Sequence, residues 1–161
     1  GYSLESADED ILKDMNKFIT VEQFAIQTRI LQRAGIMTMT SIVIGYPKET
    51  VETIQKTFDV CYELGIYPST GYLLPQPKTV MYEYAKKKGL IKDEEEYVLK
   101  IGDRQDYTIN LTDHLTREQM ETAVKRNLKR LATKMKLGLD EKNLLKTGHY
   151  RSGRSTKTVS I

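Results

Sequence analysis

"SIVIGYPKET", residues 41–50, runs from an apolar stretch into a glycine, a proline, a carboxylate and a threonine. A β-branched apolar run stopped by Gly45 and Pro47 reads as a short buried strand. Thr50 reads as a helix cap, because its hydroxyl oxygen can accept from the free N–H groups of a first helical turn. Strand, tight turn and capped helix together form the unit of parallel α/β sheets.

The same grammar recurs along the chain. Helix starts fall at Thr20, Thr50 and Thr79, and Gly35, Gly65 and Gly89 close the same segments. Gln23, three residues after Thr20, completes a capping box, and each glycine accepts the left-handed backbone that ends a helix. Ile54, Phe58, Cys61 and Leu64 form one apolar stripe at helical spacing. Phe24, Thr28, Leu31 and Ala34 repeat it less cleanly. After the glycines come "IMTMTSIVIG" and "IYPSTGYLLP". The fold class expected is therefore α/β, with parallel strands near 1–6, 37–45 and 69–75 and helices outside them through right-handed crossovers. The helix "DEDILKDMNK" follows the first strand. Residues 1–92 carry this pattern. Residues 93–115 read as an irregular connection, with an acidic patch "KDEEEY" and a short edge strand "DYTINL". Thr116, with Gln119 as box partner, starts a long helix that Gly138 ends. Residues 116–161 thus read as a basic helical extension with a mobile Ser/Thr/Gly-rich tail.

Composition bounds the rest. The chain has 161 residues, 39% hydrophobic and 29% charged, with one cysteine, Cys61. There is no apolar run of the roughly 18 residues that a membrane helix needs, so no membrane partner is expected and the location expected is cytoplasmic. A single cysteine excludes an internal disulfide framework, and its place on the stripe between Phe58 and Leu64 marks it as core. Gly1 without Met, followed at once by strand-like alternation in "GYSLES", reads as a fragment. Net charge is +3, unevenly spread. Residues 116–161 hold twelve Lys/Arg against four Asp/Glu, which suits either a solvated helix or a face for a polyanion.

In parallel α/β folds ligands bind at the carboxyl ends of the strands. Here those ends are Glu5–Ser6, Gly45–Glu49 and Leu74–Lys78, and all should share one rim. Gly45 admits a ligand close to the backbone. The N–H groups at the helix starts near Thr50 and Thr79 are expected to be available to an anion. Glu49 is explained equally well by a ligand or by the favourable dipole of the helix it precedes. Glu5 at a strand end points more to function, because an unpaired buried carboxylate is costly. Lys17 has a bland reading as a helix C-terminal cation. His114 and His149 stand apart, without metal-ligand spacing. Phosphate-binding, dinucleotide and nucleophile-elbow motifs are absent.

Three stretches, in order, resemble a known family. "GYSLESADEDILKDMNKFITVEQ" resembles the G-x-E-S segment of radical S-adenosylmethionine (SAM) enzymes. "RAGIMTMTSIVIGYPKET" is similar to their strand and G-x-P-x-E-T turn, and "LLPQPKTVMYEYAKKKGLI" to the P-x-P-G-T loop that follows. The match covers about residues 1–92 and lies nearest the subgroup that carries a cobalamin-binding domain upstream.

The resemblance implies a partial (β/α)6 TIM-like barrel, of which this chain would supply the C-terminal half. The family's first half holds a C-x-x-x-C-x-x-C motif that ligates a [4Fe–4S] cluster. SAM binds the cluster and is cleaved reductively to methionine and a 5′-deoxyadenosyl radical. By the match, Glu5, with Ser6 beside it, meets the ribose or amine of SAM, and Lys17 its carboxylate. Ser41 and Val43 face ribose and adenine, Gly45, Tyr46 and Pro47 shape the adenine pocket, Glu49 is a further cofactor-binding candidate able to accept from a hydroxyl or an amine, and Gln76 lines the substrate end. Many relatives have an acidic residue at Ser41 and Gly at Lys78. The cysteine motif has no counterpart here, so no catalytic or metal-ligating residue is expected in this chain. Cluster, SAM and cobalamin would belong to the intact parent, with none bound to this chain alone. The expected partners are the missing N-terminal half and a small-molecule or RNA substrate. A second copy, meeting the chain through open strand edges, is expected as well. The rival reading is a non-enzymatic module that binds RNA or protein through the basic segment, although Tyr150 is its only aromatic residue.

Overall fold

A computed structural model describes residues 2–102, 106 and 109–145. Among these the order is α1 (Glu9–Asp14), α2 (Val21–Arg33), β1 (Ser41–Ile44), α3 (Val51–Leu64), β2 (Ser69–Tyr72), α4 (Val80–Lys87), α5 (Glu94–Lys100) and α6 (Arg117–Lys134). The fold is mixed α/β around a small parallel sheet, in which Ser41 faces Ser69 and Ile44 faces Tyr72. The expected caps are in place: Thr20, Thr50 and Thr116 each form a reciprocal box with the residue three positions on, and Thr79 accepts from Tyr82 N–H.

The alternation along β1 divides the sheet into two faces. Ile42 and Ile44 are buried with Phe24, Phe58, Cys61 and Tyr72, while Ser41 and Val43 on the other face are half-buried. α3 lies between α2 and α6 on the buried side. Met120, Val124, Leu128 and Leu131 of α6 enter the same core as Phe24 and Ile42. The basic helix therefore buries its apolar stripe in the core it shares with α3. A smaller cluster of Tyr82, Ala85, Ile91 and Leu111 holds α4 against the segment that precedes α6.

Several expectations need correction. Of the strand expected at 1–6, the described residues 2–6 form none: residues 2–5 run beside β1, but only Glu5 makes a bridge, parallel to Ile42. Leu4 N–H donates to the Thr40 hydroxyl instead of a carbonyl, and Glu5 has φ 61°, which breaks extended geometry. The other two strands are shorter than expected, bounded by Gly45 and by the prolines Pro68 and Pro75. The 93–115 stretch is not wholly irregular, because its acidic patch forms α5. Asp93 accepts from Glu96 N–H, and three glutamates sit in the first turn, where the helix dipole favours them. α6 stops at Lys134, and Lys136 takes the left-handed conformation expected of Gly138 as well as Gly138 itself. Ile109–Leu111 are not in a strand. The remainder of that expected edge strand, at 107–108, falls outside the described residues, as do His149, Tyr150 and the tail from 146 onward. No helix among the described residues is long and apolar enough to cross a membrane.

The N-terminal segment is fastened to α3 by a buried hydroxyl. Thr57 Oγ1 accepts from Ala7 N–H at 2.9 Å and donates to Thr53 C=O at 3.0 Å. Thr57→Val keeps the shape but strands a buried N–H, and is expected to cost about 1–3 kcal/mol in urea denaturation. Lys78 is exposed and held at φ 69°, a conformation that costs a side-chain-bearing residue roughly 1–2 kcal/mol. Lys78→Gly is accordingly expected to raise stability by about 1 kcal/mol in the same assay.

Candidate functional site

Because residues 2–5, β1 and β2 run the same way, the segments that leave them emerge at one end of the sheet. Glu5 N–H donates to Ser41 C=O at 3.0 Å, and Val43 N–H donates to Glu5 C=O at 2.9 Å. Leu73 N–H donates to Ile44 C=O at 2.7 Å. Glu5 is thus pinned through both of its backbone groups, which explains how a left-handed glutamate persists. Strain retained in this way is a feature of functional sites. Its carboxylate is 14% exposed and pairs with Lys17 Nζ at 3.2 Å. Lys17 follows α1, whose last turn doubles back after Asn16 at φ 55°, so the chain returns a cation to the rim it has just left.

The turn after β1 faces this pair. The Tyr46 phenol is held above its ordinary range by burial and then by the nearby negative charges of Glu5 and Asp14. Asp14 itself pairs with Lys48 at 2.9 Å. Gly45 has φ 108°. A Cβ there would meet Met120 Sδ at 3.6 Å and Leu73 at 3.9 Å, which is ordinary contact. Backbone conformation, not crowding, is what demands glycine.

Of the residues singled out from sequence, the fold gathers Glu5, Lys17, Gly45, Tyr46 and Pro47 at this lip, with Ser41 and Val43 on the half-buried face of β1 below. Ser6 turns inward: it is buried, and its Oγ accepts from Asp8 N–H at 3.1 Å. Glu49 also turns inward. It is 1% exposed, with Oε2 accepting from Gly45 N–H at 3.2 Å and Oε1 from the Thr53 hydroxyl at 2.5 Å. Gln76 is exposed, and its backbone carbonyl accepts from Thr79. Sequence reading passed over Asp8, Asp14, Lys48 and Lys56, whose ion pairs join α1 to the start of α3. They lie far apart in sequence and only the packing of α1 beside α3 pairs them. The Glu49–Thr53 contact had a readable signal in its four-residue spacing.

The lip can accept an amine or hydroxyl at Glu5 and an anion at Lys17. An iron–sulfur cluster does not fit these residues. Cys61 is buried in the core, where desolvation pushes its thiol up to about 12, and the described residues contain no group of three or more His, Cys, Asp or Glu placed to hold a metal.

Burial raises the Glu49 carboxyl to about 7, against the partly offsetting hydrogen bonds from Thr53 and Gly45. Above an unfolded carboxyl's ordinary value and up to about 7, the folded chain keeps a proton that the unfolded chain has released. Stability from this group is therefore full at low pH and falls as pH rises through that window. The stability of the wild type relative to Glu49→Gln is expected to drop by about 3 kcal/mol between pH 4.5 and 8, read from denaturant midpoints.

No family model matches the chain. Over 91 residues, 56% of its length, it is 31% identical to an uncharacterized methyltransferase of Pyrococcus horikoshii, and the matched stretch makes up 20% of that protein. The chain thus spans about a fifth of the length of the curated relative it matches.

Proposed function

We propose that this chain is the adenosyl-binding part of a SAM-dependent methyltransferase of the radical SAM class. In this reading residues 1–92 form the second half of a partial (β/α)6 barrel. The observation that carries it is the Glu5–Lys17 pair at the shared end of co-directional segments. The methionine moiety of SAM is a zwitterion, and a carboxylate beside an ammonium is its complement. Glu5 takes the amine or a ribose hydroxyl, Lys17 the carboxylate, and Ser41, Val43 and the Gly45–Pro47 turn bound the nucleoside. The motif resemblance and the likeness to a methyltransferase support the same assignment.

Bound SAM supplies an activated methyl group or, in the radical class, a source of the deoxyadenosyl radical. The protein's own part is to orient it. Cluster-ligating cysteines would belong to other parts of the whole protein, as would any cobalamin. The missing barrel half would cover the half-buried face of β1 that bears Ser41 and Val43. Gln76, exposed beyond β2, sits where the acceptor, a small molecule or RNA, would approach. The competing reading, a module that grips acidic polymers through α6, draws less support. Arg117, Lys129 and Arg130 are already paired with Glu121, Glu141 and Asp59, and Lys134 lies over the Tyr62 ring.

Titration calorimetry with SAM and S-adenosylhomocysteine tests the proposal. Although the sequence alone points to no cofactor on this chain by itself, the preassembled Glu5–Lys17 pair is taken to suffice for the ligand: wild type is expected to bind both, and Glu5→Gln to bind about tenfold or more weakly, in line with loss of one charge-assisted hydrogen bond. Glu52→Gln, on the exposed side of α3, is expected to leave affinity unchanged. A wild-type chain that binds neither ligand refutes the assignment.

A further inference from the structure

Glu49 is a fully buried carboxylate that no helix cap requires. The N-terminus of α3 is already served by the reciprocal bonds of Thr50 and Thr53, at 3.0 and 3.2 Å. The Glu49 side chain instead reaches back to the turn before it. Oε2 accepts from Gly45 N–H at 3.2 Å. The main chain of Glu49 closes the same loop, its N–H donating to Tyr46 C=O at 2.9 Å. Its carbonyl accepts from the Thr112 hydroxyl at 2.9 Å, and Pro47 C=O accepts from Asp113 N–H at 3.3 Å. One residue therefore ties the Gly45–Pro47 turn to α3 and to the segment that precedes α6.

We propose that Glu49 is a positioning residue whose charge state sets how tightly the Gly45–Pro47 turn closes on a bound nucleoside. The inference rests on the reading of that turn as the nucleoside wall. When ionised, both oxygens accept charge-assisted hydrogen bonds, which are roughly twice as strong as neutral ones. A proton taken up on Oε1 is accommodated locally: the Thr53 hydroxyl reverses, accepts from the carboxyl and donates to Thr50 C=O, which lies 3.0 Å away. Oε2 still meets Gly45 N–H, now as a neutral acceptor. The turn loosens without breaking.

Other ionisable groups surround Glu49. Asp8, the α1 cap, faces it and is paired with Lys56 of α3. Lys48 on the turn is paired with Asp14. Beyond Pro47 lie Asp113, paired with Lys88, and His114. On α6, Arg117 and Glu121 flank Met120 and pair with each other. Histidine as a class changes charge in the pH range of interest, so His114→Gln serves as a control.

The Gly45 amide resonance of the 15N-labelled full chain, followed from pH 5 to 9, is expected to titrate with a midpoint near 7. The titration should persist in His114→Gln and vanish in Glu49→Gln. The binding probe is 5′-methylthioadenosine, the nucleoside half of SAM without its amino acid. It is expected to bind three- to tenfold more weakly at pH 5.5 than at pH 8.5 in wild type, and with no such difference in Glu49→Gln. A flat Gly45 resonance in wild type, or one that still titrates in Glu49→Gln, overturns the inference, and the wild-type arm needs no variant to fold. A nucleoside that binds equally at both pH values overturns it while leaving the ligand assignment intact. A nucleoside that binds at no pH overturns both.

Discussion

Ile42 and Ile44 turn one side of β1 toward Phe24 and Phe58, and the arrangement of the lip depends on that alternation. A strand has a side-chain period of two, so burying these two positions commits Ser41 and Val43 to the opposite face. With α2, α3 and α6 on the buried side, the chain must return across that side after each strand, which makes β1 and β2 parallel. Parallel strands deliver their following loops to one end. The lip of Glu5, Gly45 and Tyr46 is thus a consequence of where two isoleucines are buried.

The lip is held by polar ties that are expensive to leave unmade. The N-terminal segment reaches the sheet through Leu4 N–H on the Thr40 hydroxyl, and α3 through Ala7 N–H on Thr57. These threonines sit in the core, where an unpaired hydroxyl or amide is costly. The hydrogen bonds therefore specify one docking of residues 2–7 more than they strengthen it. Glu5 can occupy a left-handed conformation because the flanking bonds to Ser41 and Val43 leave its backbone no cheaper alternative.

Glu49 illustrates how a buried carboxylate can hold the turn before a helix instead of capping the helix itself. Beside a helix start it would ordinarily be read as a dipole partner. Here Thr50 and Thr53 already satisfy that end of α3, and the carboxylate is free to hold the preceding turn. Desolvation raises that carboxyl to about 7, against the hydrogen bonds from Thr53 and Gly45 that lower it.

The helix limits were legible in sequence because caps act locally: a threonine followed three residues later by Gln or Thr satisfies its own first turn wherever the helix lies. The stripe Ile54–Phe58–Cys61–Leu64 was legible for the same reason, and it correctly placed the cysteine in the core. α5 was missed because its acidic run was read as an irregular patch, although Asp93 is a cap and its glutamates suit a first turn. The strand limits at residues 1–6 were missed because a single left-handed residue ends a strand, and nothing in "GYSLES" declares that Glu5 adopts it. Local chemistry thus determined the threonine caps and the buried stripe of α3. Only tertiary packing decided which carboxylate faces the lip and which is buried behind it. Glu5, bridged to Ile42, and Glu49, beyond the turn that follows β1, are the same side chain, and what separates them is the set of partners that folding brings to each.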